Sequence, residues 1–215
     1  TICVIGVGLV GNILVQILLA NGCNVVVIEK SKERLYNSVS LISPNGKEVG
    51  KYRKRNIPNE ECYQEKYYFN KSNNKHVVID IGICKIGLMI CWDQWHHETY
   101  QQLNKLGADL ILCPTSIGYA YKKSKCISLA NEKEKWLNII TANSLMINTP
   151  IVIANRTGCE CSKDNMIKFW GSSFVTNSNG DIDFINKNNK LMSYITIDLS
   201  KKSLSKKIWG FCPKN

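Results

Sequence analysis

The chain has 215 residues, 44% of them hydrophobic and five of them tryptophan, which is enough apolar material for one sizeable core. A formal charge of +11, from 28 Lys and Arg against 17 Asp and Glu, invites a nucleic-acid partner. However, the lysines sit among asparagines in loops such as 71–75 and 187–190, and no basic stripe interleaved with aromatics is present.

No window approaches the roughly 20 uninterrupted apolar residues of a membrane span. Thr1 opens inside a strand-like run rather than a basic and then apolar leader, so the expectation is a soluble cytoplasmic protein. The ten cysteines are scattered, as reduced thiols are, rather than arranged as a disulfide framework. Cys159 and Cys161 form a lone C-x-C, which is no zinc signature, so no metal is expected.

In chain order, residues 1–35 read as strand, Gly-rich turn, helix through Leu19, and buried strand from Asn24 to Ile28. Gly6, Gly8 and Gly11 fit G-x-G-x-x-G, and Glu29 falls near the acidic ribose-binding position. This is a Rossmann-like βαβ start, but the further βα units of a dinucleotide domain do not follow. From Tyr36 the pattern changes to hairpins. Tyr36 to Ile42 alternates, Asn45-Gly46 signals a two-residue turn, and Glu48 to Tyr52 returns.

Buried strands are expected at His76 to Ile81, Ile86 to Ile90, Asp109 to Cys113 and Pro150 to Ala154, with helices at Glu98 to Leu106 and Asn131 to Met146. Ser172 to Ile182 holds a second hairpin at Asn179-Gly180, and Leu191 to Leu199 is a late strand. Strands alternating with helices and hairpins indicate a layered α/β fold.

The stretch G-L-M-I-C-W-D-Q-W carries the chemistry. A buried strand delivers Cys91 into a polar, aromatic turn, where backbone N–H groups can face a developing oxyanion. Cys91 reads equally well as a nucleophile or as a small buried hydrophobe. In K-Y-R-K-R-N-I-P, Lys54 ends a strand. A lysine beside a thiol favours the thiolate and can hold an oxyanion, whereas Lys51, Arg53 and Arg55 read as solvated. Y-Q-E-K-Y-Y-F offers Glu65 amid aromatics, either as a site carboxylate or as a surface one.

These motifs, followed by P-T-S-I-G at 114–118, A-N-R-T-G at 154–158 and G-S-S-F at 171–174, resemble the nitrilase superfamily in order and spacing. The likeness runs from Tyr36 to Phe211, and the variant it most resembles is the N-carbamoylputrescine amidohydrolase group. It implies a four-layer α-β-β-α sandwich, with residues 36–215 as the hydrolase domain and its N-terminal part truncated or replaced by the segment 1–35. It also implies Cys91 as nucleophile, Lys54 as catalytic lysine and Glu65 as supporting carboxylate. Trp92, Asp93, Trp95 and Asn155 would surround the substrate, the Trp92 backbone N–H sharing the oxyanion with Lys54.

The expected reaction is hydrolysis of N-carbamoylputrescine to putrescine, CO2 and ammonia, a step of polyamine biosynthesis, without cofactor and in a homo-oligomer. The family's general-base glutamate, in a P-E-x motif upstream, has no counterpart in residues 1–35. Glu29 is the alternative base if its strand is the family's second. If that strand is instead the later one that precedes the family's Y-N-S strand, here Tyr36-Asn37-Ser38, Glu29 lies elsewhere. Ala120 stands where relatives carry an acid suited to a cationic tail. Other readings are an ω-amidase, an NAD(P)-binding protein resting on Gly6, Gly8, Gly11 and Glu29, and an inactive hydrolase fragment.

Overall fold

The computed structural model describes residues 35–185 and 195–199 in full, and residues 193–194 and four strands near the N-terminus as backbone. The first two of these strands, β1 (Ile2–Leu9) and β2 (Asn12–Leu19), pair antiparallel from Ile2 opposite Leu19 to Leu9 opposite Asn12. The helix expected through Leu19 is therefore a strand. The run N-I-L-V-Q-I-L-L is too uniformly apolar for its period to choose between the two, and its Ile and Val residues favour the extended form. Gly6 and Gly8 lie within β1, opposite Val15 and Ile13, rather than in a phosphate turn opening a helix. Gly11 lies outside the described residues, as does Phe211, the end of the family likeness.

Next, β3 (Asn24–Val26) pairs antiparallel with β6 (Ser38–Ile42), while β4 (Glu29–Lys30) pairs with β5 (Leu35–Tyr36). The hairpin of β6 and β7 (Glu48–Arg53) forms as expected, but its loop has three residues, not two. Gly46 N–H donates to the Ser43 carbonyl and Ser43 N–H to that of Lys47, leaving Gly46 at φ +81°, a value glycine reaches without strain. Asn177 to Asp181 repeats the pattern, with Gly180 at φ +84°.

The central sheet contains β8 (Val77–Asp80), β9 (Lys85–Leu88), β10 (Leu110–Thr115) and β13 (Ile151–Asn155), with β16 (Phe174–Thr176) and β17 (Ile182–Phe184) beyond. Their order is 17-16-13-10-9-8. Strands β9, β10 and β13 run parallel, and the outer three are antiparallel to their neighbours. All six residues of β10 and all five of β13 are buried, as parallel strands covered on both faces require.

Helix α1 (His97–Lys105) buries Thr99, Tyr100 and Leu103, and α2 (Glu132–Ile147) buries Trp136, Ile140, Asn143, Ser144 and Ile147. These positions recur every three or four residues and mark one face of each helix. The two helices pack together, α2 also meeting β16. Val39, Leu41 and Tyr52 of the β6–β7 hairpin join the same core.

A four-stranded antiparallel sheet was not expected. It comprises β11 (Gly118–Lys122), β12 (Lys125–Cys126), β14 (Cys159–Ser162) and β15 (Asn165–Phe169), in the order 12-11-15-14. Strand β18 (Ser193–Ile195) pairs with β1, within the expected late strand. No helix among the described residues is long and apolar enough to cross a membrane.

Candidate active site

The three parallel strands end at one edge of the central sheet, the edge at which open α/β sheets carry their ligand sites. Cys91 sits there. Leu88, Met89 and Ile90 are buried, and Met89 N–H continues the ladder to the Leu112 carbonyl. Ile90 is extended, and the chain then turns into the 3-10 segment Cys91–Trp95 with Cys91 at φ +43°. A non-glycine residue in this region costs on the order of 1–3 kcal/mol and persists where its surroundings fix it.

Those surroundings centre on Asp93, which is fully buried. Its carboxylate accepts from Ile90 N–H at 3.0 Å, Tyr52 O–H at 2.9 Å, Asn56 N–H at 3.0 Å and the Asn56 amide at 2.9 Å. Burial, and then the Asp93 charge, push the Tyr52 phenol far above its ordinary range, so Tyr52 is a permanent donor. Asp93 was expected to face the substrate. With four donors on its two oxygens and no exposure, it braces the cysteine turn instead.

Lys54 follows directly on β7 and is fully buried. Its ammonium donates to both oxygens of Glu65 at 2.8 Å, and the Asn37 side chain donates to the same carboxylate at 3.1 Å. The backbone fixes the lysine as well, through Lys54 N–H to the Asn37 carbonyl and Ser72 N–H to the Lys54 carbonyl. Burial alone would lower the lysine, but Cys91, Glu65 and Asp93 outweigh it and hold it above its ordinary value. Cys91 is the largest of these opposing influences. The ammonium thus lies within Coulombic reach of the sulfur, permanently charged and aimed by Glu65.

Around this centre, the half-buried rings of Trp92 and Trp95 lie 6.0 Å apart. Asn155 was also expected at the substrate, but its amide accepts from Ile117 N–H at 3.0 Å and donates to the Ile117 and Gly171 carbonyls at 3.1 and 2.9 Å. That nearly fills its capacity, so it ties together the loops after β10 and β15. The Glu29 side chain lies outside the described residues.

Several partners were not singled out by the sequence. Buried Gln94 donates to Thr115 at 2.9 Å and accepts from Trp136 Nε1 at 2.9 Å, so the cysteine turn is joined to β10 and α2. Tyr63 exchanges hydrogen bonds with the backbone of Gly118 at 3.0 Å. A Cβ at Gly118 would stand 2.1 Å from the Lys168 carbonyl oxygen, so only glycine lets β11 approach β15. Among the described residues, no group of three or more His, Cys, Asp or Glu could hold a metal ion.

The chain is 31% identical over 198 residues to a citrullinase of Francisella tularensis, covering 90% of this chain and 68% of that protein. It is 33% identical to an N-carbamoylputrescine amidase of Solanum lycopersicum over 72% of this chain and 51% of the relative. The chain thus spans about half the length of the plant relative. A crystal structure of a carbon-nitrogen hydrolase from Helicobacter pylori G27 superposes with a TM-score of 0.78 at 27% identity, over 89% of this chain and 67% of that one. Residues 16–206 match the carbon-nitrogen hydrolase family; that match begins twenty residues before Tyr36, and the chain belongs to the family.

Proposed function

We propose that this member of the carbon-nitrogen hydrolases is a thiol amidohydrolase of carbamoyl amines, the class to which N-carbamoylputrescine and citrulline belong. One observation carries the reading: a fully buried ammonium, Lys54, held on both oxygens of Glu65 and electrostatically coupled to Cys91 on a backbone turn of positive φ. The names of the two sequence relatives support the substrate class, since both substrates end in a ureido group, a primary carbamoyl borne on an amine nitrogen.

In this reading the Cys91 thiolate attacks the carbamoyl carbon. The Lys54 ammonium and the Trp92 backbone N–H take the oxyanion, and collapse expels ammonia. Water then attacks the carbamoyl thioester, which regenerates the thiol and releases a carbamic acid that loses CO2 to give the free amine. Asp93 and Tyr52 keep the turn from relaxing, and Glu65 keeps Lys54 pointed at the site.

The test is ammonia release from N-carbamoylputrescine. Activity is expected to be thiol-dependent and to vanish in Cys91→Ala. Release at an unchanged rate in that variant would refute the nucleophile, and release from simple ω-amides alone would refute the carbamoyl specificity. If Glu29 is the general base, Glu29→Gln lowers the rate by about 100-fold to 10,000-fold; an unchanged rate removes it from the mechanism.

A further inference from the structure

Helix α2, which packs against the Cys91–Trp95 turn, carries a second polar arrangement. Lys133 and Trp136 are three residues apart and share one face of the helix. Trp136 is fully buried, donates to Gln94 of the cysteine turn, and packs its ring 5.3 Å from that of Trp170. One turn earlier, the Lys133 ammonium meets the Ser172 hydroxyl oxygen at 2.7 Å, and that hydroxyl donates to the Trp170 carbonyl at 3.1 Å. The serine hydrogen is committed to the carbonyl. Its oxygen therefore accepts from Lys133, which retains two further N–H groups.

Among the described residues no carboxylate pairs with Lys133. The residue whose carbonyl Ser172 engages carries a second donor, since Trp170 Nε1 is buried without an acceptor. Such a group is costly to leave unpaired. The Trp170 ring rests 5.5 Å from that of Tyr119, and the next residue, Ala120, is buried and uncharged. This wall therefore offers a cation and an unpaired donor but no acid at position 120. Glu132, on the same first turn of α2, adds its charge near Tyr63, which gives an ammonium next to a bound carboxylate a counter-charge.

We propose that Lys133, positioned by Ser172 and assisted by Trp170, binds a carboxylate on the tail of the carbamoyl substrate. The chain then selects ureido acids over ureido amines whose tail carries only positive charge. This rests on the carbamoyl-amine reading above and narrows its substrate.

The experiment compares kcat/KM for a δ-ureido α-amino acid and for N-carbamoylputrescine in the full chain, in Lys133→Met and in Lys133→Arg. The unmodified chain is expected to favour the ureido acid. In Lys133→Met the ratio of the two kcat/KM values falls about 10-fold to 100-fold, mainly through KM, as loss of a charge-assisted contact implies. Lys133→Arg keeps most of the ratio. Preference for N-carbamoylputrescine, or an unchanged ratio in Lys133→Met, overturns the proposal while leaving the carbamoyl reading intact.

If only ω-amides release ammonia, the carbamoyl reading fails instead. Binding of the ureido acid to a Cys91→Ala background, measured by calorimetry, then decides the role of Lys133. About a tenfold weaker Kd on adding Lys133→Met supports it, and an equal Kd refutes it.

Discussion

Two lysine–glutamate pairs hold the segment between β7 and β8, and they differ in almost everything but chemistry. Glu61 pairs with Lys122 of β11 where both side chains are about half exposed, at 47% and 49%. Four residues on, Glu65 pairs with Lys54, whose side chain is fully buried. Tyr63 lies between them and pins the segment to Gly118. The outer pair is screened by water and holds two long side chains that lose entropy on pairing, so it contributes little. The inner pair carries a charge out of water, and each partner answers for the other's solvation. One motif thus serves as a surface contact at one end and as a site element at the other, and burial alone separates the two.

Replacing Lys54 by Met is expected to produce the largest effect on activity, a loss of about 100-fold to 1,000-fold in kcat/KM, the scale of one oxyanion donor. Its melting temperature should fall as well, because the largely buried Glu65 carboxylate then loses the cation that answers for its solvation. Glu65→Gln should reverse the emphasis. It leaves the Lys54 ammonium facing a neutral amide, with an expected loss of about 1–3 kcal/mol in denaturant unfolding and a smaller loss of rate.

Tyr52→Phe comes next, at about 1–2 kcal/mol in the same assay, since it removes one of four donors from buried Asp93. Against pH, Lys54 is held above its ordinary value of 10.5. Its contribution to folding is therefore complete below that value and is lost only as pH rises through the higher folded value. Stability curves of the parent and Lys54→Met should run parallel from pH 7 to 10 and converge or cross above. The smallest effect belongs to Lys122→Ala, for which neither melting temperature nor ammonia release should move beyond error. A clear loss there would dissolve the contrast between the two pairs.

Sequence patterns exposed Cys91, Lys54 and Glu65 because each stands at a local boundary: a strand end, a hairpin end, and an aromatic-rich turn. The residues that hold them were hidden for one shared reason. Asn37 reaches Glu65 across 28 residues, Tyr52 reaches Asp93 across 41, and Trp136 reaches Gln94 across 42. No window contains both partners.

Asp93 and Asn155 were legible as polar residues at strand ends, but their direction was not. A carboxylate or an amide in such a place faces substrate or scaffold according to which donors the fold brings to it. Both helices came within two residues of their expected ends, because their buried positions repeat at helical spacing. The run Asn12 to Leu19 did not, because uniform hydrophobicity has no period. The sheet of β11, β12, β14 and β15 escaped notice because strands such as C-E-C-S and G-Y-A-Y-K are short and mixed in polarity, and pairing rather than composition makes them strands.

The positive φ of Cys91 has an evolutionary side. Glycine would relax that turn, and asparagine would tolerate it better than cysteine does, so any lineage released from chemistry at this position gains folding stability by drifting to either residue. A cysteine here is the less stable choice at its own position. Cys91→Gly should accordingly melt no lower than its parent, as a thermal unfolding curve would show.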